Sequence, residues 1–345
     1  MQNSLFPEPE ETTAQPASKS RTRGAKVQPA TVDPALVDLA AELPGTLRLG
    51  TSSWTYPGWI GTVWDAEYAD VKLSKYGLAA YAQHPLFRTV SLDRSFYRPL
   101  TAAQFAAYAV QVPEDFRFVV KAPSLVTDAM LRDESGRGQQ TNAGFLDGES
   151  ALRCCVEPAL DGLGHKLGAL VFQISPLPGV MLDRMDEWVA RLHAMLRALP
   201  DLRGRAPDAV IAVEVRDAAW LSGGFVDVLR DTGATYCMGL HAKMPRFAEQ
   251  LPILRALWPG PLVCRWNLNP LHGAFGYEKA RDQYAPFDRL VDPDLETRAA
   301  LARVIAGTIG AGHNALVTLS NKAEGSAPLS AVALAQAIRD MRAGG

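Results

Sequence analysis

The 345-residue chain has few cysteines, almost no net charge and no long apolar run. Its four cysteines, Cys154, Cys155, Cys237 and Cys264, make no C-x-x-C pair, and two are adjacent. That spacing excludes a zinc ribbon and a local redox motif. It reads as reduced thiols, mostly packing residues, of a cytoplasmic protein. A formal charge of −2 excludes nucleic-acid binding spread over the whole surface, while a local basic patch stays open. No apolar stretch can span a bilayer, and the N-terminus has no signal-peptide pattern, so no membrane partner is expected. H-E-x-x-H, the P-loop and the G-x-G-x-x-G fingerprint are all missing, which removes the common zinc-protease, nucleotide-phosphate and dinucleotide motifs.

What the chain does have is eight short apolar runs, each ending in polar, charged or aromatic residues. Leu47–Gly50 runs into Thr51, Val90–Leu92 into Asp93, Phe118–Val120 into Lys121, and Leu170–Phe172 into Gln173. Val210–Val213 leads to Glu214, Tyr236–Leu240 to His241, Leu262–Cys264 to Arg265, and Leu316–Leu319 to Ser320. Helix-like stretches separate most of them. This rhythm predicts an α/β fold, a TIM-like (β/α)₈ barrel with its site at the C-terminal strand ends. One domain over residues 33–345 is expected, preceded by a disordered tail, 1–32, rich in Pro, Glu, Ser and Thr.

Asp33-Pro34 reads as the cap and first turn of a helix over 35–42, and Thr101 as the cap of a helix over 102–110. Further helices are expected over 182–199, 245–257, 295–309 and 329–341. Two excursions, 123–148 and 267–293, exceed simple strand-to-helix connections. Both leave from strand C-terminal ends and read as lids or as surface insertions.

Side chains alternate along a strand, so Glu214 and Arg216 share a face, with Val213 and Val215 turned to the helices. The same parity turns Ser91, Asp93, Lys121, Gln173, His241, Arg265 and Asn267 inward. Ser320 or Asn321 completes the ring. Cations, carboxylates and amides in this mixture suit a small anionic or phosphate-bearing ligand. Glu214, Asp93 and His241 are the catalytic candidates, His241 as a proton shuttle. Lys121, Arg216, Arg265, Gln173, Asn267 and Asn321 are the binding candidates, with Trp54 and Tyr97 as a ligand wall. Glu214–Arg216 reads equally as a structural ion pair. For Lys121 an anion clamp is preferred, since a covalent role needs a depressed pKa that no sequence displays. The basic groups argue against a metal, and no cofactor is indicated.

Several of these stretches resemble the YecE-like family, a domain of unknown function. The opening Gly50-Thr51-Ser52-Ser53-Trp54-Thr55-Tyr56-Pro57-Gly58-Trp59 is similar to that family's G-[TC]-S-G-W-x-Y-P-G-W. Lys121 matches its F-x-x-K strand, Leu167–Gln173 its L-G-x-x-L-x-Q segment, and 213–220 its V-E-x-R-x-x-x-W stretch. Asn321 with Gly325-Ser326-Ala327-Pro328 resembles the closing motif. The resemblance covers roughly residues 47 to 340 and implies a TIM-like barrel with a strand-end site, but no reaction. The chain departs from the pattern in three stretches. Ser91 and Asp93 stand where Glu and Asn are usual, Ser320 replaces the first closing Asn, and His272-Gly273 is displaced into an insertion.

Two functions follow. One is an enzyme of hydrolase or lyase type on a polar, anionic or phosphate-bearing substrate, with Glu214 as acid/base. The other is a non-catalytic ligand-binding or DNA-repair accessory protein. The second draws on Gln2-Asn3-Ser4-Leu5-Phe6, which resembles the Q-x-[SD]-L-F peptide of bacterial sliding-clamp partners. Gln2, Leu5 and Phe6 would be its anchors, and the basic residues Lys19, Arg21, Arg23 and Lys26 would add contacts to phosphates.

Overall fold

The computed structural model describes residues 26–132, 138–273 and 275–343. Most of the expected tail, including Gln2, Leu5 and Phe6, lies outside the described residues. Its last part does not follow the expectation. Val27 and Ala30 are buried, Ala30 N–H donates to Val63, and Asp65 N–H donates to Gln28. The domain therefore starts by residue 27, because two small apolar side chains and a backbone bridge to Trp64 hold this stretch against the loop after the first strand.

Eight parallel strands close a barrel: β1 (Leu47–Thr51), β2 (Phe87–Leu92), β3 (Arg117–Lys121), β4 (Leu167–Ile174), β5 (Val210–Val215), β6 (Thr235–Leu240), β7 (Leu262–Trp266) and β8 (Ala315–Leu319). Each pairs with its sequence neighbours, and β8 closes on β1 through Leu47 opposite Ala315. The pairing of Gln173 with Glu214, and of Arg265 with both Gly239 and Thr318, brings one layer of residues to a common height.

The expected helices are present, most of them within one to three residues. Asp33 accepts from Ala35 N–H at the start of Pro34–Ala41, and Thr101 with Gln104 forms a capping box on Ala102–Ala109. Leu295–Gly310 opens on Asp294, and Ala327–Ala343 closes the outer ring. The predicted 182–199 stretch divides into Gly179–Leu182 and Met185–Arg197. The excursions are not structureless. The first carries a short antiparallel pair, Met130–Arg132 with Gly138–Thr141, and the second a helix, Tyr277–Tyr284.

Three layers fill the barrel. Val119, Ala169, Val171, Ala212, Cys237, Val263 and Leu316 form a compact apolar plug in the middle. Beneath it, at the strands' N-terminal end, Asp208 takes Arg48 at 3.0 Å and Arg117 at 2.8 Å. Above it, at the C-terminal end, lies the polar layer that the alternation predicts. Small residues make the closure possible. A Cβ on Gly50 would lie 1.8 Å from the Thr89 carbonyl oxygen, so β1 and β2 approach too closely for any side chain there.

Candidate functional site

The polar layer is built around the Arg265 guanidinium. Its Nη1 donates to Glu214 Oε2 at 2.8 Å and to Gln173 Oε1 at 3.0 Å. Its Nη2 donates to Asp93 Oδ2 at 2.8 Å. One planar fork thus joins β2, β4, β5 and β7, a geometry suited to arginine rather than lysine. The other Asp93 oxygen accepts from Ser91 Oγ at 2.5 Å. The departure at 91 and 93 is thereby explained in this chain: the serine holds a carboxylate placed two residues later, and that carboxylate faces Arg265.

Glu214 and Arg216 do share a face, 3.3 Å apart between Oε1 and Nη2, and both are buried. Burial raises the Glu214 carboxyl, but the charges of Arg265 and Arg216 outweigh it and hold the pKa below the usual range. Cys237 Sγ also donates to Oε2 at 3.7 Å. Glu214 is therefore a fixed anion with one carboxylate oxygen, Oε1, left without a hydrogen bond. Gly239 makes room for it, since a Cβ there would come within 3.3 Å of Glu214 Cδ and 2.2 Å of Met244 Cε.

Lys121 ends β3 with its Nζ 3.6 Å from the centroid of the Phe96 ring. Burial, offset by Asp93 and assisted by Arg265 and Arg216, lowers its pKa to about 7. The depressed pKa that no sequence displays is thus present at Lys121. His241 differs from expectation in the opposite sense. Its Nδ1 accepts from Lys243 N–H at 2.9 Å, which places the ring proton on Nε2. Burial, Arg216 and Lys243 lower its pKa to about 3, so at neutral pH it acts as an uncharged N–H donor.

Unpaired donors gather beside these groups. Arg216 Nε and Nη1, His241 Nε2 and Asn267 Nδ2 are all buried and have no hydrogen-bond partner among the described residues. They come from the ends of three adjacent strands, β5, β6 and β7. Nothing in the local sequence distinguishes them from paired donors; only the packed structure does.

The remaining candidates lie in the turns and rim around this layer. Trp54 is buried, donates to the Leu73 carbonyl at 3.1 Å and meets Tyr108 edge-on, so it packs under the helices. Asn321 Oδ1 accepts from Trp59 Nε1 at 3.1 Å and Ala327 N–H at 2.8 Å, tying the loop after β1 to the last helix. Ser320, of inward parity with Leu316 and Thr318, accepts from Lys322 N–H. Tyr97 stays at the rim, 46% exposed and edge-on to Phe96.

The sequence reading did not single out Tyr277 or Lys322. Lys322 is buried with its Nζ 4.2 Å from the Tyr277 ring centroid and 5.7 Å from that of Phe287. Burial raises the Tyr277 phenol far above its usual value, with added push from Tyr56, Asp93 and Tyr97. The 267–293 excursion therefore brings the Tyr277 ring against Lys322, just beyond β8. The loop is also fastened internally, through His272 Nε2 and Asp292 Oδ2, each 2.7 Å from the Tyr284 hydroxyl. Among the described residues, no group of three or more His, Cys, Asp and Glu side chains could hold a metal ion. None of the described helices is long and apolar enough to cross a membrane.

Solved structures similar to this chain include two DUF72 family proteins. A DUF72 family protein from Enterococcus faecalis V583 is 18% identical, with a TM-score of 0.57 over 85% of this chain and 95% of that one. A DUF72 family protein from Thermotoga maritima MSB8, also 18% identical, has a TM-score of 0.50 over 86% and 99%. At this identity they speak to the fold. No curated protein matches the chain. The model of the family described as protein of unknown function DUF72 matches residues 48–344. With the YecE-like motifs at the strand ends and the closed eight-stranded barrel behind them, the chain belongs to the DUF72 family.

Proposed function

We propose that the mouth of the barrel binds a small anionic or phosphate-bearing molecule and acts on it by proton transfer, as a lyase or hydrolase does. The observation that carries this reading is the set of unpaired buried donors: Arg216 Nε and Nη1, His241 Nε2 and Asn267 Nδ2. Unsatisfied buried donors are costly, and an anion placed among them relieves several at once. The charges agree. Lys121, Arg216 and Arg265 face two carboxylates, Asp93 and Glu214. Arg265 is spent on structure, so Arg216 is the principal anion-binding group.

The acid/base role moves from Glu214 to Lys121. A carboxylate held ionised by two guanidinium groups is a poor proton donor, whereas an amine titrating near neutrality suits the task. Glu214 and Gln173 then serve as positioning residues, keeping Arg216 and Arg265 in place.

Inorganic phosphate should raise the melting temperature of the full chain in a saturable way. Ligand at a hundredfold excess over Kd stabilises by about 2.7 kcal/mol, a shift of several degrees. Arg216→Met should lose that shift. Absence of any shift in the unmodified chain, under low salt, would remove the anion reading.

The N-terminal peptide supports a separate reading, attachment to a bacterial sliding clamp through Gln2, Leu5 and Phe6. It is independent of the barrel chemistry. A double variant, Leu5→Ala with Phe6→Ala, should weaken clamp binding at least about tenfold, the loss of ~1.4 kcal/mol of apolar contact. Equal affinity of the two chains in a titration would dismiss this attachment.

A further inference from the structure

We propose that Lys121 forms an imine with a small carbonyl compound that carries an anionic group. This rests on the anion-binding reading above, makes Lys121 the nucleophile in place of the proton carrier, and adds the class of molecule and the bond made. Three buried lysines are present among the described residues: Lys121, Lys166 and Lys322. Lys166 donates to the Ala109 and Val112 carbonyls and pairs with Glu114, a structural tie between helix and barrel. Lys322 lies under Tyr277 and Phe287, with the Arg281 charge acting on it. Of these three, Lys121 is the one whose charge is acted on by both guanidinium groups and carboxylates, namely Arg265, Arg216, Asp93 and Glu214.

Those neighbours meet the three needs of imine formation. The amine must be present in its neutral form, and burial beside two guanidinium groups favours that form. The substrate's anion must be fixed so that its carbonyl carbon meets the nitrogen, and the unpaired Arg216 donors lie in the same layer. Protons must move between nitrogen and oxygen, and Asp93, whose side chain is 22% exposed, is the carboxylate that reaches solvent.

The step balances without an oxidant or a metal. The Lys121 nitrogen bonds to the carbonyl carbon as the π pair moves to oxygen. One proton passes from nitrogen to that oxygen, giving a carbinolamine. The hydroxyl then leaves with the second nitrogen proton as water, and the C=N bond forms. The Phe96 ring, 3.6 Å from Nζ, lines the amine with an apolar surface on one side.

Trapping tests this directly. The full chain is incubated with pyruvate, dihydroxyacetone phosphate or uncharged acetone, each with sodium cyanoborohydride, and its peptides are mapped by mass. One reduced adduct is expected on the peptide containing Lys121, from either or both anionic compounds. It should exceed that from acetone by at least about tenfold, the discrimination of ~1.4 kcal/mol that one good ion contact supplies. Inorganic phosphate should suppress it. Lys322→Arg should keep the adduct and Lys121→Arg should lose it. The site assignment comes from the unmodified chain, so it survives a Lys121 variant that folds poorly. Trapping no greater on Lys121 than on the exposed residue Lys75, or equal trapping of acetone, overturns the proposal. If phosphate still raises the melting temperature in those samples, the imine alone is lost; if it does not, the anion site falls too.

Discussion

Arg265→Met is expected to be the most damaging single substitution in the barrel. The guanidinium is 1% exposed and serves three acceptors, Glu214, Gln173 and Asp93. Methionine fills much of the volume but leaves a fully buried carboxylate without its main partner. Breaking one side of a buried ion pair costs about 3–5 kcal/mol. For a domain of this size that is a fall of roughly 10 °C in melting temperature. Urea unfolding of the two chains at neutral pH measures it. The effect has a pH signature. Glu214 titrates below its usual 4.5 in the folded chain, so its stabilisation is present above that value and lost as the pH falls through its folded pKa. The gap between the chains should therefore narrow on acidification. Arg265→Lys should recover little, since an ammonium cannot span acceptors on β2, β4 and β5 together. A loss below ~1 kcal/mol would mean that the network is not the keystone of this layer.

The second large effect has the opposite sign. Lys121→Met is expected to stabilise the protein at and below neutral pH. The amine titrates at about 7 when folded, against 10.5 for an ordinary lysine. Between those values the unfolded chain holds a proton that the folded chain has released, so native stability rises with pH. The slope contributed is about 1 kcal/mol per pH unit. Below about pH 7 the folded chain carries a buried ammonium and bears the whole cost. Other groups titrate in the same window, among them Lys322, so the difference between native and variant curves is the informative quantity. That difference should be flat in the acid range and shrink steadily from neutrality upward. Parallel curves from pH 6 to 10 would show that Lys121 is not buried as an unfavourable cation. A residue kept at such expense against stability is consistent with a functional role.

The alternation of side chains makes much of this layer legible in the sequence. Glu214 and Arg216 share a face, Asp93, Lys121, Gln173 and Arg265 join them in one layer, and Val213 and Val215 pack outward, all because a strand repeats every two residues. The prediction weakened where strands end. Trp54 and Asn321 lie in turns, where parity no longer applies, and their partners, Leu73, Trp59 and Ala327, are set by the loops they join. Residues 27–30 look like tail by composition, yet two buried side chains and a backbone bridge suffice to hold them.

Thus the apolar runs and their polar ends determined the barrel, the end at which the polar layer lies, and most of the residues in that layer. The tertiary structure decided how those residues are used. It gave Arg265 to structure, left Arg216, His241 and Asn267 with unpaired donors, fixed Glu214 as an anion and lowered the Lys121 amine. Alternation is a local property of backbone geometry, written in neighbouring residues. Burial, charge proximity and hydrogen-bond satisfaction are sums over residues far apart in the chain, and they exist only once the barrel has closed.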